Sequence, residues 1–486
     1  MCRYVQTLTG GFTVKKSFIK AISAILVVIM LLCSAPLEGV IGLKLPDFGI
    51  GDRLSQEANA ASVSDLWFDV NEDGKTYSVT DCDNDAKGKI TIPSEYNGYP
   101  VTKIDSCAFV WCDRLTGITI PDSITDIGDY AFEGCSGLTK ITIPNSVKSI
   151  GESAFCNCES LSSITIGSGV TSIGENAFTD TAYYNDHDKW QNGVLYIGNY
   201  LLDAEFDLSG SYTIKAATKC IANGAFRGCS KLASLTVSSS NQYYSTKDGV
   251  LFNKDMTQLI FCPSDKSGAY TVPDGVTAIS DKAFYNAIGL TSVVIPSGVV
   301  KIGSGAFENC YKMTSVTLPY GVKAINDSTF QNCRSLKNIT IPKSVRTIGD
   351  YAFYYCDSLS SVAIPQNVKT IGEAAFYGCT ELNEITVPDS LEEIGGNAFE
   401  YTAFIKDESN WENNVLYIGK ILVTAKSTIA DTYKIKAGTV SISVNAFNSC
   451  KKITKIGIPN GVKKIGYCAF RGCVGLTSVT IPDSVK

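Results

Sequence analysis

One pattern, repeated thirteen times, constrains this 486-residue chain more than any other feature. A Phe recurs at intervals of 23 residues, Ile always stands five places before it, and Ala precedes it in every unit except at Thr329. The units are centred on Phe109, Phe132, Phe155, Phe178, Phe226, Phe284, Phe307, Phe330, Phe353, Phe376, Phe399, Phe447 and Phe470. Such a period predicts stacked coils, because one coil is too small to bury its own apolar side chains.

Each unit reads L-x-x-I-x-I-P-x-x-V-x-x-I-G-x-x-A-F-x-x-C. Ile141 and Ile143 alternate with polar residues as in a half-buried strand, Pro144 ends that strand, and a second short extended run leads to Ile150. The following Gly and Ala predict a short helical corner. Acidic residues near its start would favour a helix N-terminus: Asp129, Glu152, Glu175, Asp281, Asp327, Asp350 and Glu373. The predicted fold class is an α/β repeat solenoid of the leucine-rich-repeat type, with a parallel β ladder, short helical corners and one coil per 23 residues.

The chain divides into three predicted regions. Residues 1–60 are interpreted as a signal peptide and leader, because basic residues precede an apolar run at 21–33 that is short for a membrane span. Residues 61–103 are predicted to form an N-terminal β cap, and 104–486 the solenoid. Insertions at about 179–220, 238–275 and 400–441 interrupt the period, and the first and third share a Trp followed by V-L-Y-I-G. No second apolar segment follows, so no membrane contact is expected beyond the leader.

Cysteines and possible metal ligands have structural interpretations. Of 18 cysteines, ten lie three residues after a repeat Phe, where a small buried thiol suits a stack. Local bridges between Cys107 and Cys112 or between Cys468 and Cys473 stay open as an alternative. Residues 69–74 imitate the start of a calcium loop, but Thr80 stands where Glu is needed, so a hairpin turn is the better interpretation. No metal site and no cofactor are predicted.

Charge and histidine content limit the functional classes. A net charge of -6 with scattered basic residues argues against nucleic-acid binding. The single histidine, His187, leaves no base for familiar nucleophilic catalysis, so no catalytic residue is predicted. Trp and Tyr dominate binding hot spots, which makes the aromatic residues of the insertions the candidate binding residues, although the recurring Trp also suits local packing. These are Tyr183, Tyr184, Trp190, Phe404 and Trp411.

Over about residues 66–486 the unit resembles the BspA-like class of leucine-rich repeats, found in surface-exposed and secreted bacterial proteins. The resemblance implies a secreted or cell-surface protein that adheres to protein or glycan partners, including host extracellular-matrix proteins, through an extended surface. Two alternatives stay open. One is a structural spacer or self-assembling surface element, favoured by a chain that stops part-way through a unit, and the other, weaker one is a hydrolase. The oligomeric state is left open.

Overall fold

The computed structural model describes residues 62–486, which lie in one compact unit, Ala60–Lys486. The predicted signal peptide and leader lie outside the described residues. Repeat coils follow one another through the described part of the chain, and most of them contribute two short strands and a corner.

The first strand of a coil carries the L-x-x-I-x-I pattern. In Lys140–Ile143 the two Ile side chains are buried and the Lys and Thr are exposed, as the two-residue period predicts. Ser163–Ile166 pairs with it in parallel, so that Ile164 lies beside Ile141. The first strands are Gly88–Thr91, Leu115–Thr119, Lys140–Ile143, Ser163–Ile166, Ser209–Ile214, Lys231–Val237, Ser267–Thr271, Gly289–Val294, Ser315–Thr317, Ser361–Ala363, Glu384–Thr386, Thr432–Lys434 and Lys455–Gly457.

The second strand of a coil is shorter and ends at the invariant Ile of the unit. These strands also pair in parallel, with Ile127 beside Ile150. They are Tyr99–Ile104, Asp126–Ile127, Ser149–Ile150, Ser172–Ile173, Cys220–Ile221, Ala278–Ile279, Lys301–Ile302, Ala324–Ile325, Thr347–Ile348, Thr370–Ile371, Glu393–Ile394, Ser441–Ile442 and Lys464–Ile465. The expected parallel ladder is therefore present as two rows of strands.

The corners are not helical, which corrects the prediction of short helical corners. Residues two places before and after the Phe have left-handed backbone, as at Ser328 (φ 55) and Asn332 (φ 59). The amides of Ser328, Phe330 and Asn332 donate to carbonyls of the next coil over 2.8, 2.8 and 2.7 Å. Because left- and right-handed residues alternate, every second N–H points towards the neighbouring coil. In a helix, by contrast, each N–H bonds to a carbonyl of the same helix. The corners thus form a third hydrogen-bonded row, the corner ladder.

Helix in residues 62–486 is confined to short pieces outside the regular corners. These are the four-residue α-helix Ala403–Lys406 and the 3-10 turns Val63–Asp65, His187–Lys189 and Glu408–Asn410.

The aspartates of the corners, Asp129, Asp281, Asp327 and Asp350, bind the next coil instead of a helix N-terminus. Asp327 Oδ1 accepts a hydrogen bond from the Asp350 amide over 2.9 Å, and Asp350 Oδ1 accepts one from the Glu373 amide over 2.6 Å. A glycine of the next coil gives the carboxylate room, since a Cβ at Gly372 would lie 2.4 Å from Asp350 Oδ1 and 2.5 Å from its amide nitrogen.

Phe rings and Cys thiols fill the interior, and each forms a row, or file, that runs from coil to coil. Neighbouring rings stack with centroids 4.9 Å apart at Phe284–Phe307 and 5.4 Å apart at Phe307–Phe330. The buried Cys333 thiol donates to the Phe307 carbonyl over 3.2 Å, and the same contact recurs down the file. Cys112 and Cys473 are free thiols, so neither local bridge considered from the sequence is present.

Each insertion is a three-stranded antiparallel meander. The strands are Trp190–Gln191, Val194–Ile197 and Tyr200–Ala204; Tyr244–Lys247, Val250–Asn253 and Gln258–Phe261; and Trp411–Glu412, Val415–Ile418 and Ile421–Ala425. The last strand of each meander pairs in parallel with the following second strand, as Leu201 does with Ile221. The meanders therefore join the ladder.

The meanders also divide the interior. Leu195 packs in the cluster that contains Phe178, whereas its neighbour Val194 packs in the cluster of Phe226. Because both faces are buried, the V-L-Y-I runs are continuously apolar. The described residues thus hold four apolar clusters separated by walls that both neighbours share.

The N-terminal segment begins with an antiparallel hairpin, Leu66–Val70 with Tyr77–Cys82. At its turn Asp73 accepts hydrogen bonds from the Lys75 and Thr76 amides, and these bonds lower the pKa of Asp73. Tyr77–Cys82 then pairs in parallel with Tyr99–Ile104. The ladder therefore already begins within the segment predicted to be a cap, which also contains the short strand Glu95–Tyr96.

Candidate binding surfaces

The aromatic residues predicted as binding residues at the first insertion form hydrogen bonds that stabilise the meander. Tyr183 donates from its hydroxyl to the Tyr196 carbonyl over 2.8 Å, and Tyr184 donates to Asp203 Oδ2 over 2.7 Å. Trp190 Nε1 donates to the Tyr184 carbonyl over 2.8 Å. All three candidates are half-buried against the core of the preceding coils. Their polar atoms are therefore already paired within the protein.

The equivalent residues of the third insertion behave in the same way. Trp411 Nε1 donates to the Ile405 carbonyl over 2.8 Å, and the Lys426 ammonium lies 4.5 Å from the Trp411 ring centroid. Phe404 and Trp411 are half-buried against the Phe399 cluster. Each Trp thus bonds to a carbonyl six residues earlier. The aromatic candidates form two sets, one at each insertion.

A groove of about 1020 Å³ lies beside the second strands around the first insertion. The residue before each buried Ile faces away from the core, which brings Asp126, Ser149 and Ser172 to the groove. Gln258 and Lys301, from the chain beyond the insertion, also line it. We call this cavity the first groove.

The wall of the first groove carries both signs of charge. Arg227 forms an ion pair with Glu175, and its guanidinium carbon lies 5.7 Å from the Tyr285 ring centroid. Lys282 lies 5.7 Å from the same centroid. The groove therefore offers a partner both anionic and cationic contacts.

A second groove of about 660 Å³ lies beside the second strands near the third insertion. Thr347, Thr370 and Glu393 line it from the regular coils, and Tyr467 lines it from the far side of the insertion. Lys464 Nζ approaches Glu393 Oε1 at 2.6 Å and links the two sides. Both grooves thus occur where a meander interrupts the regular stack.

The side chains of the described residues give little support for chemistry. His187 is exposed on its 3-10 turn. Burial raises the pKa of Cys158 to about 12, which keeps this thiol protonated at neutral pH. Within residues 62–486, no cluster of three potential metal ligands was found, nor a helix with the length and hydropathy of a membrane span.

Sequence reasoning missed both grooves. Their residues, such as Ser149 and Ser172, are small polar residues at ordinary outward strand positions. The available signal was indirect, because the breaks in the 23-residue period mark where the stack is interrupted.

Comparison with known proteins gives a consistent assignment. A family model described as "BspA type Leucine rich repeat region" matches in 6 copies, at residues 88–208, 189–271, 254–366, 277–406 and 425–486. No curated protein matches the chain.

Solved structures of bacterial leucine-rich-repeat proteins are also similar. A leucine rich cell surface protein from Faecalibacterium prausnitzii is 28% identical, with 68% of this chain and 95% of that one covered and a TM-score of 0.38. A leucine-rich repeat protein from Bacteroides ovatus is 26% identical, with 70% and 92% covered and a TM-score of 0.30. The pneumococcal vaccine antigen PcpA is 21% identical, with 83% and 99% covered and a TM-score of 0.34. Since the family model matches most of the described residues, the chain belongs to the BspA-type leucine-rich repeat family.

Proposed function

We propose that this protein is a secreted or cell-surface adhesion protein that holds a protein or glycan partner, such as an extracellular-matrix component, against its solenoid. The first groove is the observation that carries the proposal. Its volume of about 1020 Å³ matches the upper range of ligand sites, and residues far apart in the chain line it. Membership of a family whose members typically bind proteins supports the same conclusion.

The chemistry of the groove favours binding over catalysis. Its lining combines small hydroxyl side chains, such as Ser149 and Ser172, with charged side chains, of which Arg227 and Glu175 form an ion pair. Complementary charges attract a partner and fix its orientation in the groove. The small hydroxyl side chains of the lining leave room for the partner's own side chains.

Immobilised matrix proteins and polysaccharides, probed with the purified protein by surface plasmon resonance, test the proposal. Ser172→Trp places a bulky side chain at an exposed groove position, and Ser163→Trp places one at an exposed position on the first strand of the same coil. We expect saturable binding that Ser172→Trp weakens at least about tenfold and Ser163→Trp leaves unchanged. An absence of saturable binding to every immobilised ligand, or equal effects of the two variants, would contradict the proposal.

A further inference from the structure

The position two residues after a repeat Phe has left-handed backbone in every unit except at Gly228, and where another regular coil follows directly its amide belongs to the corner ladder. Most coils place there a residue that tolerates this backbone, as at Asn286, Asn309 and Asn332. Their amides also form a ladder, since Asn309 Nδ2 donates to Asn286 Oδ1 and Asn332 Nδ2 to Asn309 Oδ1, both over 2.8 Å. In these coils the residue has a structural explanation.

Tyr355 and Tyr401 occupy the same position with φ of 53° and 63°. A bulky side chain is disfavoured in left-handed backbone, and a phenol cannot continue the amide ladder. Both residues are nevertheless exposed, at 37% and 53% of their surface. The corner backbone therefore does not require tyrosine at these positions, and strained residues of this kind concentrate at binding sites.

The two tyrosines belong to a larger cluster, the tyrosine patch, made of Tyr351, Tyr354, Tyr355, Tyr377 and Tyr401. Tyr354 and Tyr377 stack with centroids 5.0 Å apart. Tyr355 meets Tyr354 edge-on at 4.5 Å, and Tyr401 meets Tyr377 edge-on at 5.0 Å. These contacts fix the rings relative to one another, so the patch is preorganised.

The Tyr355 ring packs against a glycine of the next coil. A Cβ at Gly378 would lie 2.5 Å from the Tyr355 ring, so the ring lies directly on the glycine backbone. The same arrangement recurs at the other end of the solenoid, where Trp111 (φ 60°, 57% exposed) lies over Gly134. The corner ladder thus twice presents an exposed aromatic ring seated on a glycine of the next coil.

We infer that the tyrosine patch binds a neutral glycan chain of β-linked pyranose units, which stacks its sugar faces on Tyr355 and Tyr401. This inference rests on the proposed function and names the ligand class for a second surface. A pyranose with equatorial hydroxyls presents a face of C–H bonds, whose partial positive charge suits the negative face of an aromatic ring. The phenol hydroxyls donate and accept hydrogen bonds at the rim.

Size and charge favour a glycan over a folded protein. Tyr355 and Tyr401 lie two coils apart, or about 10 Å at the usual strand spacing, which is about the length of one disaccharide unit. A protein partner would need roughly 800 Å² on each side, far more than a few partly exposed rings provide. The patch consists of uncharged phenols, which match a neutral sugar.

The test is calorimetric titration of the full-length protein with cellohexaose and chitohexaose, which are β-linked, and with α-linked maltohexaose. The key variant is Tyr355→Asn/Tyr401→Asn, which installs the residue that other coils use. We expect the β-linked sugars to bind and the variant to lose at least about tenfold in affinity, with a melting temperature equal to or above that of the original protein. Tyr320→Asn, at a tyrosine 72% exposed outside the patch, should change nothing.

Three outcomes would overturn the inference: no binding of either β-linked hexasaccharide, unchanged binding by the double variant, or a lower melting temperature that reveals a structural role. Loss of matrix-protein capture by the double variant, without sugar binding, would assign the patch to a protein and also overturn it. Binding in the groove assay that Ser172→Trp abolishes would leave the proposed function standing in each case.

Discussion

At the residue scale, the fold depends on positions where one coil touches the next. The glycine four residues before the Phe in eight of the thirteen units is the clearest example. A Cβ at Gly151 would lie 2.4 Å from the amide nitrogen of Asp129 in the preceding coil. The glycine is thus required for close approach between two backbones, and the Asp129 carboxylate of the preceding coil uses the space to accept a hydrogen bond from the Glu152 amide.

We predict that Gly151→Ala lowers the free energy of unfolding by about 1–3 kcal/mol, because the added methyl group forces two backbones apart. Gly298→Ala is the matched control, since its Cβ would meet only the Val276 carbonyl at an ordinary 3.5 Å. Urea denaturation followed by circular dichroism measures both. Equal midpoints for the two variants would show that the coils do not approach as closely as described.

The buried thiols make stability depend on alkaline pH. Burial raises the pKa of Cys158 to about 12, against about 8.5 for an unfolded thiol. The unfolded chain therefore loses this proton first, so the stabilisation is complete below about pH 8.5 and is lost as pH rises towards 12.

Between pH 7 and pH 10.5 we expect the Cys158 thiol to contribute about 2–3 kcal/mol to the loss of stability. Cys158→Ala should be less stable than the original protein at pH 7 and should lose less on alkaline titration. Urea midpoints at the two pH values provide the measurement, and a pH dependence identical in both proteins would refute the assignment.

At the scale of elements, the corner ladder is the feature that sequence reasoning got wrong. Gly, an acidic residue and Ala suggested a helix N-terminus, but residues such as Asn332 and Asn309 two places after the Phe require left-handed backbone. The signal was present in the many Asn and Gly residues at this position. Taken one at a time, these Asn and Gly residues indicate only a local turn. The hydrogen bonds of the corner instead join residues 22 apart in the sequence, as from Asn332 to Tyr354.

Asn309 distinguishes the two corner geometries. In the corner ladder we expect Asn309→Gly to be more stable than Asn309→Ala by about 1 kcal/mol, because only glycine accepts left-handed backbone without strain. In a helix the order would reverse by a similar amount. Both variants lose the same amide bonds to Asn286 and Asn332, so the comparison isolates the backbone. Thermal melts of the pair decide between the geometries.

At the scale of the whole molecule, the 23-residue period predicted the parallel strand rows and the buried Ile and Phe files. The period could not predict that Val194 and Leu195 face different clusters, because a continuous apolar run does not reveal which neighbour lies on each side. The grooves escaped prediction for a related reason. Ser172 and Lys301 line one cavity only because two folded insertions lie between their coils.

Amide hydrogen exchange across residues 326–336 tests the central claim, that coils which follow one another without an insertion are bonded along their corners as well as their strands. The amides of Ser328, Phe330 and Asn332 are bonded to the next coil, and those of Gln331 and Cys333 within their own. We predict that this segment, which contains no strand or helix, exchanges as slowly as the second strand Thr347–Ile348. Exchange at the rate of an unstructured peptide would contradict the account.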